Sequence, residues 1–134
     1  MTETRFENLP TLPPMAGYSD LTIADGLAYV AGKVAADGGE LAPPENIEEE
    51  TQICMELIGR TLAIAGMGFN DILKVTVFMK SLGDFDRMNA VYRRYFAPQR
   101  LPARTTVGVS DIILGCNIEI ECVARLPRLS HTKQ

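Results

Sequence analysis

The chain has 134 residues, of which 46% are hydrophobic and 22% are charged, a size and balance typical of one globular domain. Its 13 basic and 17 acidic residues give a net charge of −4, and no window is a run of lysines and arginines, so nucleic acid is not expected as a partner. The sequence has no signal-peptide pattern and no apolar run of membrane-spanning length, which favours a cytoplasmic protein without membrane contact. We predict one domain over residues 1–126 and a tail over residues 127–134.

The cysteines and the single histidine argue against metal chemistry. Cys54, Cys116 and Cys122 form no CxxC pair, and their wide spacing suggests reduced thiols. His131 lies in the tail, so the core lacks the usual histidine ligand and histidine base. We therefore expect no metal site, no cofactor and no serine triad.

The N-terminal third reads as a loop followed by a hairpin. Residues 9–17 hold three of the eight prolines and predict an extended loop. The segments DLTIA and LAYVAGKVA follow, separated by Asp25-Gly26, which is a strong hairpin turn signal. Gly38-Gly39 and Pro43-Pro44 then mark a second loop.

A helical period begins after this second loop. Three consecutive glutamates, residues 48–50, stand in the predicted first turn, where they favour the helix macrodipole, and Gly66 follows the end. We predict a helix of about five turns. Its apolar positions are Ile47, Cys54, Leu57, Ile58, Leu62 and Ala65.

The middle of the chain predicts a strand and a second helix. Residues 72–80 alternate, with Leu73, Val75, Val77 and Met79 assigned to the core face. Asp84 is the predicted cap of the second helix. Asn89 falls inside the apolar arc of that helix, where a satisfied structural asparagine is favoured over a ligand contact. The arc consists of Phe85, Met88, Tyr92, Tyr95 and Phe96.

Two strands with one polar face each are predicted near the C-terminus. In PARTTVGVS, Arg104 and Thr106 share a face with Gly108 and Ser110. In NIEIECVAR, Glu119 lies opposite the apolar face of residues 118, 120 and 122. The simplest explanation of both polar faces is exposure to solvent.

The element order predicts an alternating mixture of helices and strands. Two amphipathic helices can cover only one face of a sheet of about six strands. The other face carries Phe78 and Val123 as well as charged groups. Subunit association around a polar pocket is therefore more plausible for this face than open solvent.

Several segments resemble the Rid (reactive intermediate deaminase) family, also called YjgF or L-PSP. They are GYSDLTIADGLAYVAG, DILKVTVFMKSLGDFDRMNAVYRRYF, PARTTVGV and NIEIE, and the resemblance spans roughly residues 10 to 125. It implies a chorismate-mutase-like α+β fold, with a mixed sheet of about six strands and two helices on one face. It also implies a homotrimer with active sites between subunits, which hydrolyses 2-imino acids formed from enamines such as 2-aminoacrylate to 2-oxo acids and ammonia.

The resemblance also assigns roles to individual residues. Arg104 matches the arginine that binds the substrate carboxylate, and Glu119 matches the glutamate that holds the attacking water. The other expected substrate-binding positions are Tyr18, Ala31, Gly32, Asn89 and Thr106. A guanidinium suits this task because its paired donors grip a carboxylate in one plane, which lysine cannot reproduce.

The chain departs from the family pattern at two places. Ala16-Gly17-Tyr18-Ser19 replaces a glycine-proline-tyrosine-serine turn, and residues 31–33, Ala-Gly-Lys, replace serine-glycine-glutamine. Three alternatives stay open: a deaminase of a larger enamine such as 2-aminomuconate, a non-catalytic trimer that binds small carboxylates or acts as a protein-binding module, and an endoribonuclease, a label attached to some members of the family. The net charge and the lack of a core histidine count against the endoribonuclease.

Overall fold

A computed structural model describes residues 3–38 and 43–128 of the protein. The structure contains six strands and two α-helices joined by short 3-10 turns. The strands are β1 (Arg5–Glu7), β2 (Leu21–Ala24), β3 (Leu27–Lys33), β4 (Ile72–Met79), β5 (Ala103–Gly108) and β6 (Ile118–Arg125), and the helices are α1 (Ile47–Ala63) and α2 (Phe85–Tyr92). Gly39, His131 and most of the predicted tail lie outside the described residues.

The strands form one mixed sheet in the order β1-β2-β3-β6-β4-β5. Neighbouring strands are antiparallel except β4 and β5, which run parallel and are connected through α2. Both helices lie on one face of the sheet, where α1 packs on β3 and β6 and α2 packs on α1. The predicted α+β class, the strand count and the one-sided helix layer are confirmed. The sixth strand, β1, was not among the predicted elements.

The predicted hairpin turn joins β2 to β3. Asp25 has a φ of 53° and Gly26 a φ of 80°, the left-handed pair that a two-residue turn requires between twisted strands. The turn sets a register in which Leu21 pairs with Val30, so both side chains enter the core.

Helix α1 begins at Ile47, directly after its cap Asn46, and is anchored by a buried glutamate. The side chain of Asn46 caps the helix by accepting a hydrogen bond from the Glu49 amide at 2.8 Å. Glu50 is completely buried. The sequence had predicted only that its charge interacts favourably with the helix macrodipole in the first turn. Its carboxylate accepts from the backbone amide of Asn117 at 2.7 Å and from that of Ile118 at 3.2 Å. Glu50 therefore fixes the start of β6 against α1.

Two local predictions were wrong. Leu73, assigned to the core face of β4, is 45% exposed because the register with β6 shifts between Ile72 and Lys74 and turns its side chain outward. Asp84 occupies the N-cap position of α2 but makes no capping hydrogen bond with its side chain, which instead pairs with Arg87.

The second face of the sheet is not covered by either α-helix. We call this the open face; it carries Tyr29, Thr76, Phe78, Glu119 and Val123. A small cluster of Val34, Ile112 and Cys116 packs beside Phe78. No helix in the described segments combines the length and the hydropathy that a membrane span requires.

Candidate active site

Arg104 lies on the helix-covered side of the edge strand β5. Its Nη1 donates a hydrogen bond to Oδ1 of Asn89 on α2 at 2.6 Å. Its guanidinium carbon lies 4.7 Å from the ring centre of Tyr92 and 5.3 Å from that of Phe85, within the range of cation–π attraction. Asn89 therefore makes a specific hydrogen bond to Arg104. The sequence had predicted only that Asn89 is a structural asparagine with its hydrogen bonds satisfied.

The aromatic partners of Arg104 were predicted as core residues only. Residues 85, 89 and 92 are spaced by four and three positions, so the helical period already placed Phe85, Asn89 and Tyr92 on one face. Burial raises the pKa of Tyr92 to about 12, although the nearby Arg104 charge acts in the opposite direction. The tyrosine therefore stays neutral and serves the guanidinium as an aromatic surface.

Thr106 lies two residues further along β5 and on the same face as Arg104. Its hydroxyl oxygen is buried and has no hydrogen-bond partner within residues 3–38 and 43–128. Buried hydroxyls in native proteins usually have a partner, so this group is available to a ligand or to water. We call Asn89, Arg104 and Thr106 the arginine half-site.

Glu119 lies on the open face, flanked along β6 by the fully buried Ile118 and Ile120. It lines a cavity of about 220 Å³ with Tyr18, Ala31 and Gly32. Asp37, which sequence reasoning did not identify, lines the same cavity, as do Val34 and Ile113. We call Tyr18, Ala31, Gly32 and Glu119 the glutamate half-site.

Gly32 is required by the position of the glutamate side chain. A Cβ at residue 32 would collide with the carboxylate of Glu119, so any larger residue would push this group aside. Ala31 presents a methyl group where the family pattern has a hydroxyl. The carboxylate therefore lies against backbone rather than against a polar side chain.

The glutamate half-site is acidic. Burial raises the pKa of Glu119, and the neighbouring carboxylates of Glu121 and Asp37 raise it further. The pKa of Tyr18 is also raised, first by burial and then by Asp37, Asp20 and Glu119. A carboxyl group with a raised pKa in a cavity is typical of a proton-transfer site.

The two half-sites lie on opposite faces of the sheet of one chain. Arg104 is paired with the buried Val75, whereas Glu119 is paired with Phe78 on the open face. Successive residues of a strand alternate between faces, so these side chains point away from each other. One chain therefore brings together Tyr18, Ala31, Gly32 and Glu119, and separately brings together Asn89 and Arg104.

Lys33 departs from the family pattern and forms a buried ion pair. Its ammonium donates to Asp20, and the two side chains are only 2% and 4% exposed. The second carboxylate oxygen of Asp20 accepts from the Leu9 amide at 2.9 Å. The sequence could not identify this pair, because Asp20 lies in the loop before β2 and Lys33 lies 13 positions later at the end of β3.

The three cysteines are buried, free thiols, as predicted. Burial raises the pKa of Cys122 to about 12 and that of Cys54 well above its ordinary value, so both remain protonated. Among residues 3–38 and 43–128, no group of histidine, cysteine, aspartate and glutamate side chains is arranged to hold a metal ion.

Comparison with known proteins shows the family. Residues 9–126 match the family described as Endoribonuclease L-PSP. A RutC family protein of Pyrococcus horikoshii is 38% identical over 120 residues, covering 88% of this chain and 92% of that protein. The 2-iminobutanoate/2-iminopropanoate deaminase of Mus musculus is 35% identical over 109 residues, which cover 80% of this chain and 79% of the mouse protein.

Solved structures show the same fold. A Rid family protein of Yersinia pestis superimposes with a TM-score of 0.83 at 28% identity, covering 92% of this chain and all of that one. Yeast Mmf1 gives a TM-score of 0.84 at 26% identity, with 93% of this chain covered. The fold is therefore the chorismate-mutase-like α+β fold that the resemblance implied. With most of its length matched by the family and by curated relatives, this chain belongs to the L-PSP family, whose members are also named Rid, YjgF and RutC.

Proposed function

We propose that this protein is a hydrolase that converts 2-imino acids to 2-oxo acids and ammonia in a site shared between two subunits. The observation that carries the proposal is the complementarity of the half-sites. One presents a cation with paired donors, and the other presents a carboxyl group with a raised pKa. A 2-imino acid needs both, because it carries a carboxylate beside an electrophilic C=N carbon.

A homotrimer would bring the two half-sites together. Because they lie on opposite faces of one sheet, they can meet only when the arginine half-site of one subunit faces the glutamate half-site of the next. Such a head-to-tail contact generates a closed ring when the rotation closes. The open face supports burial in this assembly, since Tyr29 is 46% exposed and Val107, which pairs with Phe78 and so shares this face, is 37% exposed.

The proposed reaction starts with Arg104 gripping the substrate carboxylate through its remaining N–H donors. Glu119 accepts a proton from a water molecule as the water oxygen bonds to the imine carbon. The C=N π electrons move to nitrogen, which takes the proton held by Glu119, and a tetrahedral carbinolamine forms. Glu119 then accepts the proton of the carbinolamine hydroxyl and donates it to the nitrogen as the C–N bond breaks, so that the 2-oxo acid and ammonia are released.

The surroundings suit this sequence of steps. The raised pKa of Glu119 favours a group that both accepts a proton from water and returns it to the leaving nitrogen. Tyr18 and Thr106 offer hydroxyl groups, and Asn89 holds the arginine in place. None of these steps uses a metal or a covalent nucleophile.

The curated relatives support the same chemistry. Enzymes of Mus musculus and Rattus norvegicus that are 35% and 33% identical to this chain are named 2-iminobutanoate/2-iminopropanoate deaminases. Three buried free thiols are suited to a reducing compartment such as the cytoplasm. We therefore infer a cytoplasmic deaminase whose substrate is a small imino acid.

A subunit-mixing experiment tests both the chemistry and the shared site. Arg104→Ala and Glu119→Gln proteins are prepared separately, and each is expected to be nearly inactive on freshly generated imino acids. The two are then dissociated together and reassembled at equal amounts. Random trimers of mixed composition each contain one intact site, so about a quarter of the wild-type activity returns.

The outcomes separate the parts of the proposal. Return of activity on mixing supports a site built from two subunits. No return, with trimers present by light scattering, contradicts the shared site. A wild-type protein that never exceeds the uncatalysed rate on any imine contradicts the hydrolase and favours a trimer that only binds carboxylates.

A further inference from the structure

Ile113 is an exposed apolar residue in the same cavity as Glu119. It belongs to the loop between β5 and β6, and it lines the cavity of about 220 Å³ together with the glutamate half-site. The residue is 62% exposed, so its side chain is not used to fill the core of its own chain. An exposed apolar side chain on the wall of a cavity is available to an apolar group of a ligand.

The backbone after Ile113 is held in an uncommon conformation. Leu114 has a φ of 60°, in the left-handed region that residues other than glycine seldom adopt. Conformations of this kind persist where the surroundings impose them, and they occur often at ligand sites. Leu114 lines a different cavity, with Leu12 and Arg60, so two consecutive apolar residues face two different spaces.

Much of the wall of the Glu119 cavity is hydrocarbon. Ala31, Val34 and Ile113 have no polar group in their side chains. The family pattern carries serine at position 31, so this chain lacks a hydroxyl that could bond to a polar substrate. Asp37 is already engaged, because one of its carboxylate oxygens accepts a hydrogen bond from the Val34 amide at 3.0 Å.

The proposed reaction places the substrate side chain in this cavity. The imine carbon bears the carboxylate, the nitrogen and the side chain. The carboxylate is directed to the arginine half-site of the next subunit, and the imine carbon lies beside Glu119. Because the side chain is attached to that same carbon, it has to occupy the space that Glu119 shares with Ile113.

The chemistry of the cavity favours an apolar side chain. A second carboxylate would be repelled by Glu119 and Asp37. A neutral polar group would lose hydrogen bonds to water against a hydrocarbon wall, whereas an apolar group gains free energy when it leaves water. A branched side chain reaches more of this wall than a methyl group does.

We propose that Ile113 is a specificity-determining residue and that the site prefers 2-imino acids with a branched apolar side chain, such as that of leucine, to 2-iminopropanoate. This inference rests on the proposed deaminase function and names its substrate class. Ile113 contacts the end of the substrate side chain, and Ala31 and Val34 complete the apolar wall.

The test compares four imino acids on the whole assembled protein. They are generated in situ by an amino-acid oxidase from L-leucine, L-asparagine, L-alanine and L-arginine. Leucine and asparagine have side chains of the same branched shape but opposite polarity. We expect kcat/KM for the leucine-derived imine to exceed the values for the asparagine-derived and alanine-derived imines by at least about tenfold.

Two variants of the loop locate the preference. Ile113→Ala should lower the leucine-to-alanine ratio of kcat/KM by about three- to tenfold, because the branched end of the side chain loses its contact. Leu114→Ala shortens an equally exposed neighbour that lines the other cavity, and it should keep the wild-type ratio. Equal loss of the ratio in both variants would mean that the loop only packs, and it would remove the role of Ile113.

Ala31→Ser tests the other side of the wall with a residue that the family pattern carries. The added hydroxyl can bond to the asparagine-derived imine, so the leucine-to-asparagine ratio should fall by about threefold or more. An unchanged ratio would show that residue 31 does not contact the substrate side chain, against the proposed wall.

Failure of this inference differs from failure of the proposed function. Hydrolysis of all four imines at similar kcat/KM leaves the deaminase standing and removes the apolar preference. A preference for the arginine-derived imine would mean that the acidic groups select the substrate, and it also overturns the inference. Hydrolysis of none removes both proposals.

Discussion

The arginine half-site and the glutamate half-site are built in different ways. Arg104 and Asn89 come from β5 and α2, which are consecutive elements, and two aromatic rings of α2 surround the guanidinium. The glutamate half-site collects Tyr18 from a loop, Gly32 from β3 and Glu119 from β6. The proposed carboxylate-binding side therefore depends on local structure, whereas the proposed proton-transfer side depends on the register between distant strands.

The largest expected effect is on the glutamate side. Glu119→Gln keeps the size of the side chain but removes its ability to accept a proton, so kcat should fall by at least about a hundredfold. Affinity for a 2-oxo acid should change little, because the carboxylate grip is intact. Turnover assays and calorimetric titration measure the two quantities. Glu45→Gln makes the same change at an exposed residue just before α1, away from both half-sites, and serves as control.

Arg104→Lys tests the arginine side. It keeps the positive charge but loses the planar fork, so kcat/KM should fall by about tenfold or more, and the affinity for a 2-oxo acid should fall with it. This joint loss is the opposite of the pattern expected for Glu119→Gln. Arg94→Lys, at an exposed position of the same region, should leave both values unchanged. Unchanged kinetics for Arg104→Lys would remove the proposed grip.

Phe85→Leu tests the contact between the Phe85 ring and the guanidinium of Arg104. Loss of one cation–π contact should raise KM by about two- to fivefold while kcat changes less, because the arginine retains Tyr92 and Asn89. Steady-state kinetics on one imino acid are sufficient. Phe6→Leu makes the same change on β1, away from both half-sites. Equal effects of the two variants would mean that the ring at residue 85 only packs.

The smallest effect concerns stability and pH. The pKa of Glu119 is raised in the folded protein, whereas the unfolded chain has the ordinary value of about 4.3. At pH values between the pKa of the unfolded chain and that of the folded protein, the folded protein binds more protons at residue 119 than the unfolded chain does. The free energy of unfolding therefore falls as the pH rises from the lower pKa to the higher one. Glu119→Gln should therefore melt at a slightly higher temperature than the wild type at neutral pH.

The sign of this effect can be checked by acidification. At pH values below the ordinary pKa both proteins carry a neutral group at residue 119, and the difference in melting temperature should disappear. Thermal melts at one protein concentration are required, since association shifts the transition. A wild type that is more stable than the variant at neutral pH would contradict the stated cause of the raised pKa.

Much of each half-site could be predicted from periodicity. The helical spacing placed Phe85, Asn89 and Tyr92 on one face, and strand alternation placed Glu119 opposite the apolar face of β6. Alternation alone does not say which face of β5 meets the helices. The separation of Arg104 from Glu119 therefore became visible only with the parallel pairing of β4 and β5.

The missed features depend on distant partners or on very short segments. Glu50 resembled an ordinary first-turn glutamate, and its burial follows from hydrogen bonds to Asn117, 67 positions away. The strand β1 has only three residues, too few to show an alternation. Leu73 was misplaced because the register shift in β4 breaks the period that the prediction assumed.

The central position of β6 has a consequence for how the chain is synthesised. The sheet order places β6 between β3 and β4, although β6 is made after both. Until the ribosome has released residues 118–125, β3 and β4 each expose an unpaired edge, and the two parts of the sheet cannot join. The complete sheet therefore forms only after β6 has been made, and before then the edges of β3 and β4 can pair with strands of other molecules.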